Sequence, residues 1–160
     1  MWDKFGYMAS AEEINELAEN LFNEGDTESI KALAEENGLD ADFAQAYIEG
    51  EIPMLCDSMT AALGKIEMEV ADLKPQNIMA DWVEYLKSLV IDSQIIATGV
   101  RKEDKTLKGM IAALLKWSFS HQMQIDADII KMAGISAGRV TLGIPDMATV
   151  KKLIREYYGG

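Results

Sequence analysis

The chain has few of the residues on which enzymes and disulfide-stabilised proteins commonly depend: one cysteine, one histidine and three prolines among 160 residues. The single cysteine, Cys56, excludes an intramolecular disulfide and a cysteine-based zinc cluster, and we expect it to be a small buried apolar group. A nucleophile paired with histidine would have to use His121, and no nucleophile motif lies near it. We therefore expect His121 to be a structural or surface residue and the protein not to be an enzyme.

The chain also lacks a long apolar run. The N-terminal sequence MWDKFGYMASAEE has no basic stretch followed by an apolar one, so we expect no signal peptide. The longest apolar runs are interrupted by Lys116, or by Asp92 and Ser93, too soon for a membrane span. These absences predict a cytoplasmic protein with no membrane partner.

Basic residues are scarce in the first sixty positions, where only Lys4 and Lys31 accompany fifteen carboxylates, a net charge of −13. Residues 61–160 hold twelve acidic and thirteen basic residues, so essentially all of the chain's net charge of −12 belongs to its N-terminal part. Because net charge governs partners more than it governs the fold, this segregation predicts a surface that faces something basic.

What the sequence does have is apolar residues at helical spacing along most of its length. This pattern predicts an all-α fold, a single compact bundle of about seven to eight helices. Ser10 and Glu13 form a capping box that starts the first helix, and glycines at 25, 38 and 50 end the first three. We divide the chain into an acidic three-helix module, residues 1–52, and a C-terminal helical body, residues 53–160.

The second and third predicted helices, joined at Gly38, resemble a helix-turn-helix. The would-be recognition helix carries Asp40, Asp42, Glu49 and Glu51 and no lysine or arginine, so it would repel phosphates. We therefore predict no direct binding of nucleic acid by this element.

The segment from Lys105 to Met123 is apolar on most of its circumference, which predicts a buried helix at the centre of the fold, with Thr106 as its N-cap. The following AGISAGRVTLGIPD is predicted to be a glycine-spaced connector in which RVTLGI forms a brief extended piece. Its glycines fit neither a phosphate loop nor a dinucleotide fingerprint. No motif for a cofactor is present.

The only basic cluster comprises Arg101, Lys102, Lys105 and Lys108. We interpret it as a solvated face or as an internal counter-charge to the acidic module, in preference to a nucleic-acid patch.

Two stretches carry a resemblance to a known group of proteins: DKTLKGMIAALLKWSF, a Lys-Thr-Leu start followed by a long apolar helix, and VKKLIREYY, a helix ending in Tyr-Tyr. Over roughly residues 77–158 the chain resembles the PcfK-like small proteins of conjugative elements and phages of gut Firmicutes, and related Cas9 inhibitors. It departs from them in its glycine-spaced connector and in its acidic N-terminal module. The resemblance implies inhibition of a bacterial CRISPR-Cas nuclease (an anti-CRISPR function) by binding, without catalysis or cofactor.

An RNA-guided nuclease keeps a positively charged channel for its target, and rigid helices bearing carboxylates could occupy that channel in place of phosphates. The predicted DNA-mimicking, partner-binding residues are the acidic residues of the module: Glu12, Glu13, Glu16, Glu19, Glu24, Asp26, Glu28, Glu35, Glu36, Asp40, Asp42, Glu49 and Glu51.

Two alternatives remain open at this stage. The protein could be an accessory interaction protein of a conjugative element or phage, joining an assembly through its acidic face or through exposed methionines and aromatics, and surplus apolar helix surface could also serve a homodimer. It could instead be a metal-dependent enzyme that uses Glu35 with Glu36, or Asp40 with Asp42, although the calcium-loop spacing is absent and no metal is expected.

Overall fold

The protein is all-α, apart from one very short hairpin. A computed structural model describes all residues, 1–160. Its helices are α1 (Ala11–Asn23), α2 (Thr27–Glu36), α3 (Ala41–Ile48), α4 (Ser58–Leu73), α5 (Ile78–Asp92), α6 (Gln94–Arg101), α7 (Leu107–Ser120), α8 (Ala127–Met132) and α9 (Met147–Gly159). Strands β1 (Met123–Gln124) and β2 (Thr141–Leu142) pair antiparallel, with Met123 opposite Leu142, which confirms the predicted extended piece.

Local sequence signals explain where most helices begin. The Glu13 amide donates to Ser10 Oγ at 3.2 Å, and the Glu13 carboxylate accepts from the Ala9 amide at 2.8 Å, so the predicted N-terminal cap is confirmed. Further side-chain caps are supplied by Asp26, Asp40, Asp57, Ser93, Thr106, Asp126 and Asp146. The helix count is nine rather than seven to eight because α6, of eight residues, forms a separate helix after α5.

Two hydrophobic cores meet at α4. The N-terminal core joins the inner faces of α1, α2 and α3 to Leu55, Cys56 and Ala61. The C-terminal core begins at the next residue, Ala62, and continues through α5, α6, α7 and α9 to Tyr158. The core of the acidic module thus extends into α4, past the boundary at residue 52 that the sequence suggests, and the module is built onto the body by a shared helix.

The expectation that α7 lies buried at the centre was wrong. Only Leu107, Met110 and Leu114 of this helix are buried, whereas Leu115 and Phe119 are 55% and 78% exposed. Helix α6 packs against α4, α5 and α9, and its most extensive contact is with α4. Gly99 lies inside α6, at a point where the backbone of Tyr158 approaches too closely for a side chain.

None of the nine helices is both long enough and apolar enough to cross a lipid bilayer.

Gly64 offers a test of how the module is joined to α4. A Cβ built on Gly64 would lie 2.3 Å from the carbonyl oxygen of Asn37, so the turn between α2 and α3 packs directly on the α4 backbone. We expect Gly64→Ala to lower the free energy of unfolding by about 1–3 kcal/mol through overpacking. Urea denaturation measures this, with Gly138→Ala, which has open space around it, as the control. Equal effects of the two substitutions would contradict the close packing.

Candidate partner-binding surface

One groove of the acidic module combines carboxylates with exposed apolar side chains. Glu12, Glu16 and Glu19 follow one another on a single face of α1, at the i, i+4, i+7 spacing that aligns side chains on a helix. They line an open groove of about 730 Å³ between α1 and the segment that follows α3. We call this the acidic groove.

The apolar lining of the acidic groove comes from three elements. Phe22 extends from the end of α1 and is 45% exposed, and its ring packs edge-to-face on Tyr47 of α3, with centroids 5.8 Å apart. Met54, which is 49% exposed, lies in the loop before α4 together with Pro53. Carboxylates and apolar side chains in one groove match the charged head and the apolar stem of an arginine or lysine from a partner.

The other predicted acidic residues do not join this groove. Glu35 and Asp42 line a second groove between α2 and α3, which also holds Lys31. Glu36 accepts hydrogen bonds from the amides of Lys4 and Phe5 at 2.7 and 3.2 Å, so it fastens the N-terminal segment to α2. Four more have local roles: Glu13 and Asp40 in helix capping, Asp26 in capping α2 and Glu28 in an ion pair with Lys31 at 3.0 Å. Glu24, Glu49 and Glu51 are exposed at the ends of α1 and α3.

The carboxylates of the acidic groove are not neutralised from within the chain. The only ion pair between side chains inside the module is the one between Lys31 and Glu28. Of the predicted basic cluster, Lys108 pairs with Asp72 at 3.1 Å, and Lys105 is 3.9 Å from Asp104. None of its members forms an ion pair with the module, so the negative potential of the groove is free to act on a partner.

The fourth member of the cluster, Arg101, is buried, with 1% of its surface exposed. Its guanidinium donates to three neutral oxygens: the carbonyls of Met8 and Ala61, and Asn37 Oδ1 at 3.0 Å. No carboxylate lies within ion-pair distance, and burial lowers the pKa of Arg101. Arg101 therefore ties the N-terminal segment, α4 and the end of α2 to α6, and it serves structure rather than an exposed basic patch.

Lys65 is a second buried cation, which sequence reasoning missed. Its Nζ donates to the carbonyls of Val100, Lys102 and Lys105 at 2.6–2.9 Å, where α6 ends and the chain turns towards α7. Glu69 lies one turn further along α4, 3.9 Å from Lys65, and accepts from the Leu107 amide at 2.8 Å. The signal in the sequence was the position of Lys65 on an otherwise largely apolar helix, four residues after Ala61 and four before its ion-pair partner Glu69.

The burial of Lys65 predicts a pH dependence of stability. Desolvation lowers its pKa from 10.5 to about 8, so between these values the unfolded chain holds a proton that the folded chain has released. The free energy of unfolding should therefore rise with pH across this window, by up to about 1.4 kcal/mol per unit. Burial also raises the pKa of Cys56 from 9.0 to about 12, which opposes the rise above pH 9.

Urea denaturation between pH 7.5 and 9 measures this effect on the wild type and on Lys65→Met, which has no group to titrate there. We expect the wild type to gain stability relative to the variant as the pH increases. Parallel profiles for the two proteins would contradict a lowered pKa at Lys65.

Cys56 and His121, the two candidates for nucleophilic chemistry, lie in surroundings that offer no partner for that chemistry. Cys56 is buried, as predicted, and its amide donates to Asn15 Oδ1 at 3.1 Å. Its raised pKa keeps the thiol protonated and therefore poorly nucleophilic. His121 is exposed at the end of α7 and stacks on Trp117, with ring centroids 4.2 Å apart. No three side chains of the types His, Cys, Asp or Glu come together as a metal site.

No protein family, curated protein or solved structure matches this chain.

Proposed function

We propose that the protein acts by binding and not by catalysis: its acidic groove docks on a basic protein surface, and the recipient is the nucleic-acid channel of a Cas9-type nuclease, which it inhibits. The observation that carries the proposal is the row of Glu12, Glu16 and Glu19, unpaired within the chain, beside the exposed ring of Phe22, which rests on the partly buried Tyr47. A row of carboxylates on a helix face presents negative charges to a cationic channel, as a phosphate backbone does. The aromatic side chains add contacts for arginine.

The rigidity of α1, which carries the carboxylates of the groove, supports docking without rearrangement of that helix. The α1 helix is capped at Ser10, and its inner residues Ile14 and Ala18 are completely buried, so the carboxylates project from a fixed scaffold. Binding to a preformed surface avoids the entropic cost of ordering a loop. The choice of a nuclease as recipient comes from the resemblance in the C-terminal half together with the positive channel of RNA-guided nucleases.

A competition assay tests the proposal. The full chain is mixed with a guide-loaded Cas9-type nuclease and labelled target duplex, and DNA binding and cleavage are measured at increasing salt. We expect the protein to displace the duplex at low salt and to lose affinity as salt screens the exposed charges. Simultaneous binding of protein and duplex, or inhibition that does not respond to salt, would reject docking by charge.

A second candidate function is that of an adaptor in an assembly of a conjugative element or phage. It is favoured by a different observation, the exposed apolar side chains from the second half of α7 onwards, among them Phe119 and Met132. Recovery of the bound protein from the native host distinguishes the two functions, because a defence nuclease should dominate in the first case and a conjugation or replication component in the second.

A further inference from the structure

The segment that follows the middle of α7 has almost no core of its own. From Leu115 to Ile144, a stretch we call the C-terminal arm, no residue is buried, although the arm contains the end of α7, the hairpin of β1 and β2, and α8. It nevertheless has an apolar composition. Its exposed large apolar side chains are Leu115, Phe119, Met123, Ile129, Met132, Ile135, Leu142 and Ile144.

These side chains share faces within each element of the arm. Leu115 and Phe119 are four residues apart on α7, Ile129 and Met132 are three apart on α8, and Met123 lies directly opposite Leu142 in the hairpin. Their exposures range from 48% to 88%. At ~170 Å² for each fully exposed side chain, the eight together expose about 900 Å² of apolar surface, divided between α7, the hairpin, α8 and the segments beside them.

We infer that the C-terminal arm is a homodimer interface, and that the occupant of its apolar surface is the arm of a second copy. The exposed apolar area agrees with the ~800 Å² that each partner contributes to a standard stable interface. A helix stripe and a hairpin face can each meet their own copies across a twofold axis, as an isologous dimer requires.

The low net charge of the C-terminal arm favours a second copy over other occupants of its apolar surface. The arm holds only five charged residues, Lys116, Asp126, Asp128, Lys131 and Arg139, a net charge of +1. Two arms therefore repel one another little, whereas two acidic modules would repel strongly, so the dimer forms at the end of the molecule that carries little charge. Nucleic acid and anionic membranes are bound through several clustered cations, and here three cations are accompanied by two carboxylates.

The test is the molar mass of the full chain by sedimentation equilibrium over a range of micromolar concentrations. We expect a mass of twice 17.7 kDa. The double variant Leu115→Asn with Phe119→Ser should raise the dimer dissociation constant at least a hundredfold and leave the helical circular dichroism unchanged, because both side chains are exposed. The matched control is Ile91→Ser with Ile95→Asn, two residues that are 62% and 70% exposed outside the arm and should leave the dimer intact.

A chain that stays monomeric at all concentrations overturns the inference. Binding of that monomer to anionic vesicles would identify a membrane as the occupant instead. A control variant that dissociates as readily as the arm variant also overturns the inference. Salt separates this inference from the proposed function, because an apolar dimer persists or tightens at high salt, whereas docking of the acidic groove weakens. Either one can therefore fail while the other stands.

Discussion

Replacing Glu12, Glu16 and Glu19 with lysine is expected to weaken binding to the basic recipient about a hundredfold. An exposed charge pair contributes about 0.2–1 kcal/mol, and reversing one charge converts that attraction into a comparable repulsion. Three reversals therefore amount to about 3 kcal/mol, and every 1.4 kcal/mol is tenfold in the dissociation constant. Titration of the variant against the nuclease in the competition assay measures the change.

The structure shows which carboxylates to leave alone in this experiment. Glu13 and Glu36 hold backbone amides of the N-terminal segment, so their replacement would mix a loss of binding with a loss of folding. The matched control reverses Asp92, Glu103 and Glu156, which are exposed, lie outside the module and change the net charge equally. We expect the control to retain most of the affinity. Equal losses in both variants would show that net charge matters and the acidic groove does not.

The features that the sequence predicted well are those set by neighbours along the chain. Ser10, Asp40 and Thr106 cap helices because each side chain reaches an amide two or three residues ahead, which sequence spacing alone determines. Gly38 has a positive φ of 69° and ends α2 for the same kind of local reason. Local chemistry of this kind accounts for the all-α fold and for the positions of most helix boundaries.

The errors concern contacts between distant parts of the chain. The composition of α7 is that of a buried helix, but the burial of a helix depends on which elements pack against it. The second half of α7 contributes no buried residue to the core. Arg101 was grouped with its sequence neighbours as a basic cluster, whereas its partners are at positions 8, 37 and 61. Spacing along one helix placed Glu12, Glu16 and Glu19 together, but no pattern showed that Glu36 is occupied by the N-terminal segment.

Replacing Arg101 with methionine is expected to lower the free energy of unfolding by about 2–4 kcal/mol. Methionine fills much of the space but donates no hydrogen bond, so the Met8 carbonyl and Asn37 Oδ1 lose a buried donor, each at a cost of about 1–3 kcal/mol. Part of this destabilisation is offset, because the variant no longer buries a charge that has no carboxylate partner. The carbonyl of Ala61 is affected least, because it lies within α4, where the helix supplies a second donor.

Urea denaturation measures the loss, and amide hydrogen exchange shows where it falls. Because Arg101 joins the N-terminal segment and the end of α2 to α6, we expect exchange to accelerate in α1 and α2 more than in α5 and α9. Lys102→Met is the control, since this neighbour is exposed and its substitution should change stability by no more than about 0.5 kcal/mol. If Arg101→Met is as stable as the wild type, the two cores are held together by α4 alone. The position of the acidic groove on the body would then depend on that helix and not on the buried guanidinium.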